Sequence, residues 1–209
     1  GVAMGNIVRG IPLDQNHEFT GTFLGLLNPY SLFFGVTTVL LFAMHGSIYV
    51  VMKTEGVLQE KIRSWIPKLI GLFIGFYLLF NIYTLLEIDW VAQVLEERPW
   101  VVAVVTLNAL VVLNIPRESR LGREFLAFLS SCAGMVLMMA TFGLTYFPYM
   151  VRSNPQLENS LTVINAASTE KTLGIMLVIA LIGVPIVLAY TASIYYIFRG
   201  KVKLTSHSY

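Results

Sequence analysis

An imidazole inside a membrane bundle can ligate a metal or carry a proton, and this chain sets one, His45, within a long apolar run. It lies about four residues past the middle of that run, roughly 6 Å along the helix axis. Ring nitrogens at that depth need partners. Two readings stay open: a ligand or proton carrier, or a histidine bonded to a neighbouring helix or buried against a partner subunit. The apolar runs supply no second histidine and no carboxylate to complete a site. The single cysteine, Cys132, lies inside a run, so no intrachain disulfide can form and the c-type haem attachment pattern is absent. His17 and His207 fall in polar stretches and read as solvated.

Other chemistry is missing as well. Transporters and pumps keep ionisable groups near the membrane midplane, where each costs about 2.5 to 3.5 kcal/mol and persists only for function. Here the polar content of the runs is neutral: Thr37, Thr38, Asn81, Thr106, Asn108, Asn114, Thr141, Tyr190, Thr191, Tyr195 and Tyr196. Hydrogen bonds between helices account for such residues. Gly71-x-x-x-Gly75 permits a close helix approach, although one pair of small residues is a weak signal. No nucleotide loop, zinc-ligand spacing or nucleophile triad is present. The pattern suits a scaffold better than a self-contained catalyst.

The elements that position these residues follow from the distribution of charge. Five stretches lack Asp, Glu, Lys and Arg altogether: 31–52, 69–86, 100–115, 125–151 and 172–198. A hydrocarbon core about 30 Å thick needs roughly 20 apolar residues, and backbone groups with no water available must bond within their own helix. The expected fold is all-α: a polytopic transmembrane helix bundle forming a single domain over residues 1–209. It should have five complete spans plus the end of a truncated one, because Gly1–Val8 reads as the last turns of an apolar helix that began earlier. A further N-terminal portion is expected. The third span, counted as 100–115, is short, and Pro185 near the centre of the fifth predicts a kink.

With 56% hydrophobic and 12% charged residues and a mean hydropathy of +0.72, most side chains must face lipid or other helices. The basic residues flank the spans and do not line a groove, which excludes nucleic-acid binding. They fill alternate gaps. Lys53, Lys61, Arg63 and Lys68, then Arg117, Arg120 and Arg123, then Arg199, Lys201 and Lys203 mark one side; Arg9, Arg98, Arg152 and Lys171 are sparse on the other. The positive-inside rule therefore puts the C-terminus in the cytoplasm and Asp14, Glu96 and Asn154 outside. Trp65, Trp90 and Trp100 fall at predicted span ends, where an indole is at home.

Between the spans, 9–30 is a turn-rich external loop, with Asn28 placed to cap a helix opened by Pro29. Val57, Leu58, Ile62 and Trp65 space out like one face of a surface helix that leads into the second span. The stretch 152–171 reads as irregular, closing on a Ser168 or Thr169 cap for the fifth helix.

An ordered set of short motifs resembles a known family. Gly5-Asn-Ile-Val-Arg-Gly-Ile-Pro-Leu-Asp14, Leu26-Leu-Asn-Pro-Tyr30, His45-Gly46 and Lys53-Thr-Glu-Gly56 are similar to subunit II of the cytochrome bd-type quinol oxidases. So are Ser160-Leu-Thr162, Asn165-Ala166, Glu170-Lys-Thr-Leu173, Tyr190-Thr191 and Phe198-Arg-Gly-Lys201. The resemblance implies an integral, non-haem subunit of a bacterial inner-membrane complex that oxidises quinol and reduces dioxygen to water. In that family the haem-bearing subunit I carries haems b and d, subunit II packs against it, and a small accessory subunit can attach. The family's proton-delivery segment lies in helices before the part matched here. The resemblance further implies no haem on this chain, with room for a bound quinone and His45 as the candidate for contact with the partner subunit or with that quinone. Asn6, Arg9, Asp14 and Asn28 then become anchors at the external face, and Lys53 with Glu55 at the inner face. Half of a secondary transporter is the competing reading, because five spans also suit a transporter repeat.

Overall fold

The computed structural model describes residues 1–201; Lys203 and His207 lie outside the described residues. Five helices are long and apolar enough to cross a membrane. The elements run α1 (Val2–Arg9), α2 (Pro29–Lys53), α3 (Val57–Glu87), α4 (Asp89–Glu97), α5 (Pro99–Arg120), α6 (Glu124–Tyr146), β1 (Tyr149–Val151), β2 (Leu161–Thr162) and α7 (Glu170–Ile197).

Local chemistry sets the ends. Pro29 opens α2, where a missing N–H costs nothing, and Asn28 Oδ1 accepts from Ser31 N at 2.9 Å. The α2–α3 turn passes through Gly56 at φ 71°, and α5 closes through Gly122 at φ 68°. At that second turn Gly122 N donates to Ser119 O and Arg123 N to Glu118 O, the paired closure that a left-handed glycine permits. Thr169 Oγ1 accepts from Thr172 N at the start of α7.

Three boundaries differ from the charge-free stretches. The third span is not short: α5 has 22 residues, continuing through Pro116 and Arg117 because charged side chains at an interface do not interrupt a helical backbone. The fourth does not reach residue 151. Pro148 drives Phe147 to ψ 131°, which ends α6 at Tyr146, and the next residues form β1, antiparallel to β2. The stretch 152–171, read as irregular, holds only β2 and one short 3-10 turn, Leu157–Asn159, between irregular segments before α7 begins at Glu170. The second gap held another surprise, the short helix α4. Pro67 and Pro116 join Pro185 as prolines inside continuous helices.

α2 packs on α3 and α5 on α6, and these two hairpins meet through α2 with α6 and, more lightly, α3 with α5. The inward positions recur in steps of three, four or seven. On α3 they are Ile66, Ile70 and Phe73; on α5 Val101, Asn108, Val112 and Ile115; on α6 Ala127, Ser131 and Gly134; on α2 Thr37, Met44, Ile48 and Val51. That is the spacing of a helix-bundle seam. α7 stands apart, with no buried residue.

Candidate functional site

His45 has a hydrogen-bond partner on a neighbouring helix. Its Nδ1 lies 2.7 Å from Ser131 Oγ on α6, and the Ser131 hydroxyl proton is directed at Phe128 O, also at 2.7 Å, so the imidazole supplies the proton of the first bond. The ring stacks on Phe128 with centroids 4.8 Å apart. His45 therefore ties α2 to α6. A second polar tie lies deeper in the bundle. Asn108 on α5, 2% exposed, accepts from Tyr77 OH of α3 at 2.5 Å and donates through Nδ2 to Gly134 O of α6 at 2.8 Å. Both pairs are neutral and each crosses the seam between the two hairpins.

At the Asn28 end of the bundle a cavity of about 250 Å³ opens among α2, α3, α4, α5 and α6, and His45 is not on its wall. Tyr30, Thr84, Trp90, Asn108, Thr141 and Tyr146 are among the polar residues set into a largely apolar lining. Three of their polar atoms, Trp90 Nε1, Thr141 Oγ1 and Tyr146 OH, are buried without a hydrogen-bond partner among the described residues. Buried donors in that state call for an acceptor from elsewhere. Among the described residues this wall carries no imidazole or thiolate; its side chains of the kinds that ligate haem iron are the thioether of Met138 and the phenols of Tyr30, Tyr77 and Tyr146. Among the described residues no group of three His, Cys, Asp or Glu could hold a metal ion.

The remaining sequence candidates divide between the two ends. Asn6, 7% exposed, donates to Val2 O and Leu26 O and accepts from Asn28 Nδ2 at 2.8 Å, fastening α1 to the start of α2. Asp14 Oδ1 accepts from Asn16 N and Glu18 N, which shapes its own loop, while Arg9 is exposed. At the opposite end Lys53 Nζ donates to Phe198 O and Arg199 O, the carbonyls that finish α7, and Glu55 sits 3.7 Å from Lys201. Lys53 and Glu55 hold the end of α7, and neither is near the cavity.

Sequence reading missed several residues. His17 is half-buried rather than solvated, its Nδ1 donating to Asn159 O at 2.8 Å. Asn159 Nδ2 in turn donates to Leu13 O, Ile11 N donates to Arg152 O and Asn154 N to Ile11 O, so the 9–30 loop and the β1–β2 region form one platform. The stack of Arg152 over Trp90 at 4.7 Å and over Tyr149 at 5.2 Å continues it. Glu118 is 3% exposed, 3.5 Å from Arg117 and 3.6 Å from Arg123. The loop partners carried no periodic signal; Glu118 had one, its three-residue step from Ile115.

Comparison with known proteins adds the wider setting. The family model described as cytochrome bd terminal oxidase subunit II matches residues 1–198. The cytochrome bd-I ubiquinol oxidase subunit 2 of Escherichia coli K12 is 27% identical over 97% of this chain and 61% of its own length. The cytochrome bd ubiquinol oxidase subunit 2 of Bacillus subtilis is 28% identical over 97% of the chain and 59% of its own. A probable cytochrome oxidase subunit 2 of Haemophilus influenzae is 28% identical over 91% and 58%. The chain thus spans about three fifths of the length of the curated relatives it matches. It belongs to the cytochrome bd terminal oxidase subunit II family.

Proposed function

We propose that this chain is the scaffolding part of a non-haem subunit of a quinol:oxygen oxidoreductase, needed for assembly and activity of a haem-bearing subunit I in a bacterial inner membrane. The complex would pass electrons from quinol to dioxygen, releasing quinone and water. The observation that carries this reading is the closure of the seam between the two hairpins by two hydrogen-bonded pairs, His45 with Ser131 and Tyr77 with Asn108. Side chains committed to such ties position a surface; they do not turn over substrate. The positive-inside pattern supports a cytoplasmic C-terminus, and family membership weighs against the transporter reading.

Within the same proposal the cavity at the Asn28 end takes a neutral, largely apolar molecule bearing a carbonyl oxygen, such as a quinone head. Trp90 Nε1 and Tyr146 OH are free donors for that oxygen. The test is co-purification of the full-length subunit with its partners, followed by a reduced-minus-oxidised haem spectrum and oxygen uptake. A red, oxygen-consuming complex supports the assignment. Stoichiometric iron porphyrin on the isolated subunit, or substrate flux in proteoliposomes free of haem protein, overturns it.

A further inference from the structure

The Lys53 end of the bundle holds a second hollow, and its chemistry differs from the first. It encloses about 320 Å³, with Ile66, Ile70 and Ile74 of α3 along an apolar wall and Arg63, Ser119 and Arg120 among the polar residues that line it. Light packing of α3 against α5 leaves this space. The wall is not covered by another helix at Gly71, where an added Cβ would meet nothing within 4 Å.

Charge at this end is unbalanced. Glu124 is engaged by Arg63, and Glu118 lies between Arg117 and Arg123. Four arginines, counting Arg120, thus face two carboxylates, and Arg120 makes no hydrogen bond or ion pair among the described residues. An exposed guanidinium beside an open apolar wall, at the end of helices long enough to cross a membrane, matches a molecule with an anionic head and a hydrocarbon tail. Arginine's fork of N–H donors suits phosphate oxygens in particular.

We propose that this hollow is a binding site for one anionic phospholipid, its phosphate held by Arg120 and Ser119, the Glu124 carboxylate of the same wall being engaged by Arg63, and an acyl chain laid along Ile66, Ile70 and Ile74 past Gly71. The bond partners divide cleanly: the arginine donates, the phosphate accepts, and the isoleucine wall excludes water. The occupant is a membrane lipid, since a free phosphate would leave the apolar wall bare. The site lies at the opposite end of the bundle from the carbonyl-binding cavity and does not depend on that assignment.

The test uses the full-length subunit in its oxidase complex, delipidated in detergent and titrated with phosphatidylglycerol, with retained lipid counted by native mass spectrometry. Arg120→Gln removes an exposed, unpaired charge and leaves the fold alone; Gly71→Leu fills the hollow from a position with open space. Each should weaken phosphatidylglycerol binding, Arg120→Gln by about fivefold, the worth of one arginine near an anionic surface. Arg9→Gln, at the other end, should change nothing. Equal binding by wild type, Arg120→Gln and Gly71→Leu overturns the site, as does an equal loss in Arg9→Gln. Inorganic phosphate serves as the second probe. Displacement of the lipid by millimolar phosphate together with indifference to Gly71→Leu would mean an anion site without a tail, and would overturn the lipid assignment.

Discussion

Asn108 is the residue whose removal should hurt the bundle most for its size. It touches α3 and α6 from α5, accepting from Tyr77 OH and donating to Gly134 O, at 2% exposure. Hydrogen bonds between membrane helices average about 0.6 kcal/mol and reach about 1.7, because the separated helices also find partners in the bilayer. Two such bonds lost together put Asn108→Ala at about 1 to 3 kcal/mol of destabilisation. The number can be divided with a cycle. Tyr77→Phe removes the same α3–α5 bond from the other side, so the double variant should be more stable than the sum of the singles predicts, by about 0.6 to 1.7 kcal/mol. The assay is equilibrium unfolding of the full-length subunit in mixed detergent micelles, with wild type and the three variants side by side. Strict additivity of the two substitutions would refute the claim that this bond fastens the hairpins. Retained coupling with an unchanged α5–α6 contact would locate the loss at the α3–α5 seam, where packing is thin.

Three further outcomes follow from the same geometry. His45→Ala should cost about 1 kcal/mol through the lost Ser131 bond and leave haem content of the assembled complex nearly intact; disappearance of one haem's absorbance would make His45 a ligand instead. Glu118→Ala should destabilise the protein by about 1 kcal/mol and not the 3 to 5 of a fully buried pair, because Arg117 and Arg123 are 69% and 57% exposed and water screens them; a thermal melt unchanged from wild type would contradict this. Single cysteines at Arg120 and Asn154, in a Cys132→Ser background, should label from opposite sides of the membrane, Asn154 from outside. Labelling of Arg120 by an impermeant reagent in intact cells would invert the topology.

Much of the fold was legible because lipid enforces it. A charge-free run long enough to cross the bilayer is helical over most of its length, and Asn28-Pro29 and Thr169 marked helix starts through ordinary capping chemistry. Boundaries were less legible where two rules compete. Arg117 and Arg120 look like the end of a span, yet the helix continues until Gly122 supplies a left-handed stop. Pro148, inside a charge-free run, was the true end of α6, and counting charges passed over it. α4 and the β1–β2 hairpin were invisible for another reason: at nine residues and at three and two, they depend on packing against α3, α5 and α6 and on pairing with each other, respectively. His17 shows the same limit. Its partner Asn159 is 142 residues away, and no local pattern announces such a bond.

The candidate site was legible in kind but not in arrangement. Thr37, Asn108 and Ser131 all sit in runs where lipid would reject them, and all three are buried. In water the buried face of a helix is read from its apolar stripe; in a membrane every face is apolar, so a polar or small residue is the better pointer inward. Asn108 with Val112 and Ile115, and Ser131 with Ala127 and Gly134, follow that pointer at bundle spacing. α7 has the same composition without the same spacing. Its Thr191 and Ser193 lie two apart, Ser193 bonds back to Ala189 O, and no residue of the helix is buried. Back-bonding satisfies the hydroxyl proton of Ser193 on its own helix, whereas Ser131, back-bonded to Phe128 O, still accepts from His45 across the seam. The distinction is therefore between polar residues that close bonds within their helix, such as Thr106 and Ser193, and those that reach across, such as Asn108 and His45. Only the second kind specifies which helices meet, and sequence alone does not tell the two apart.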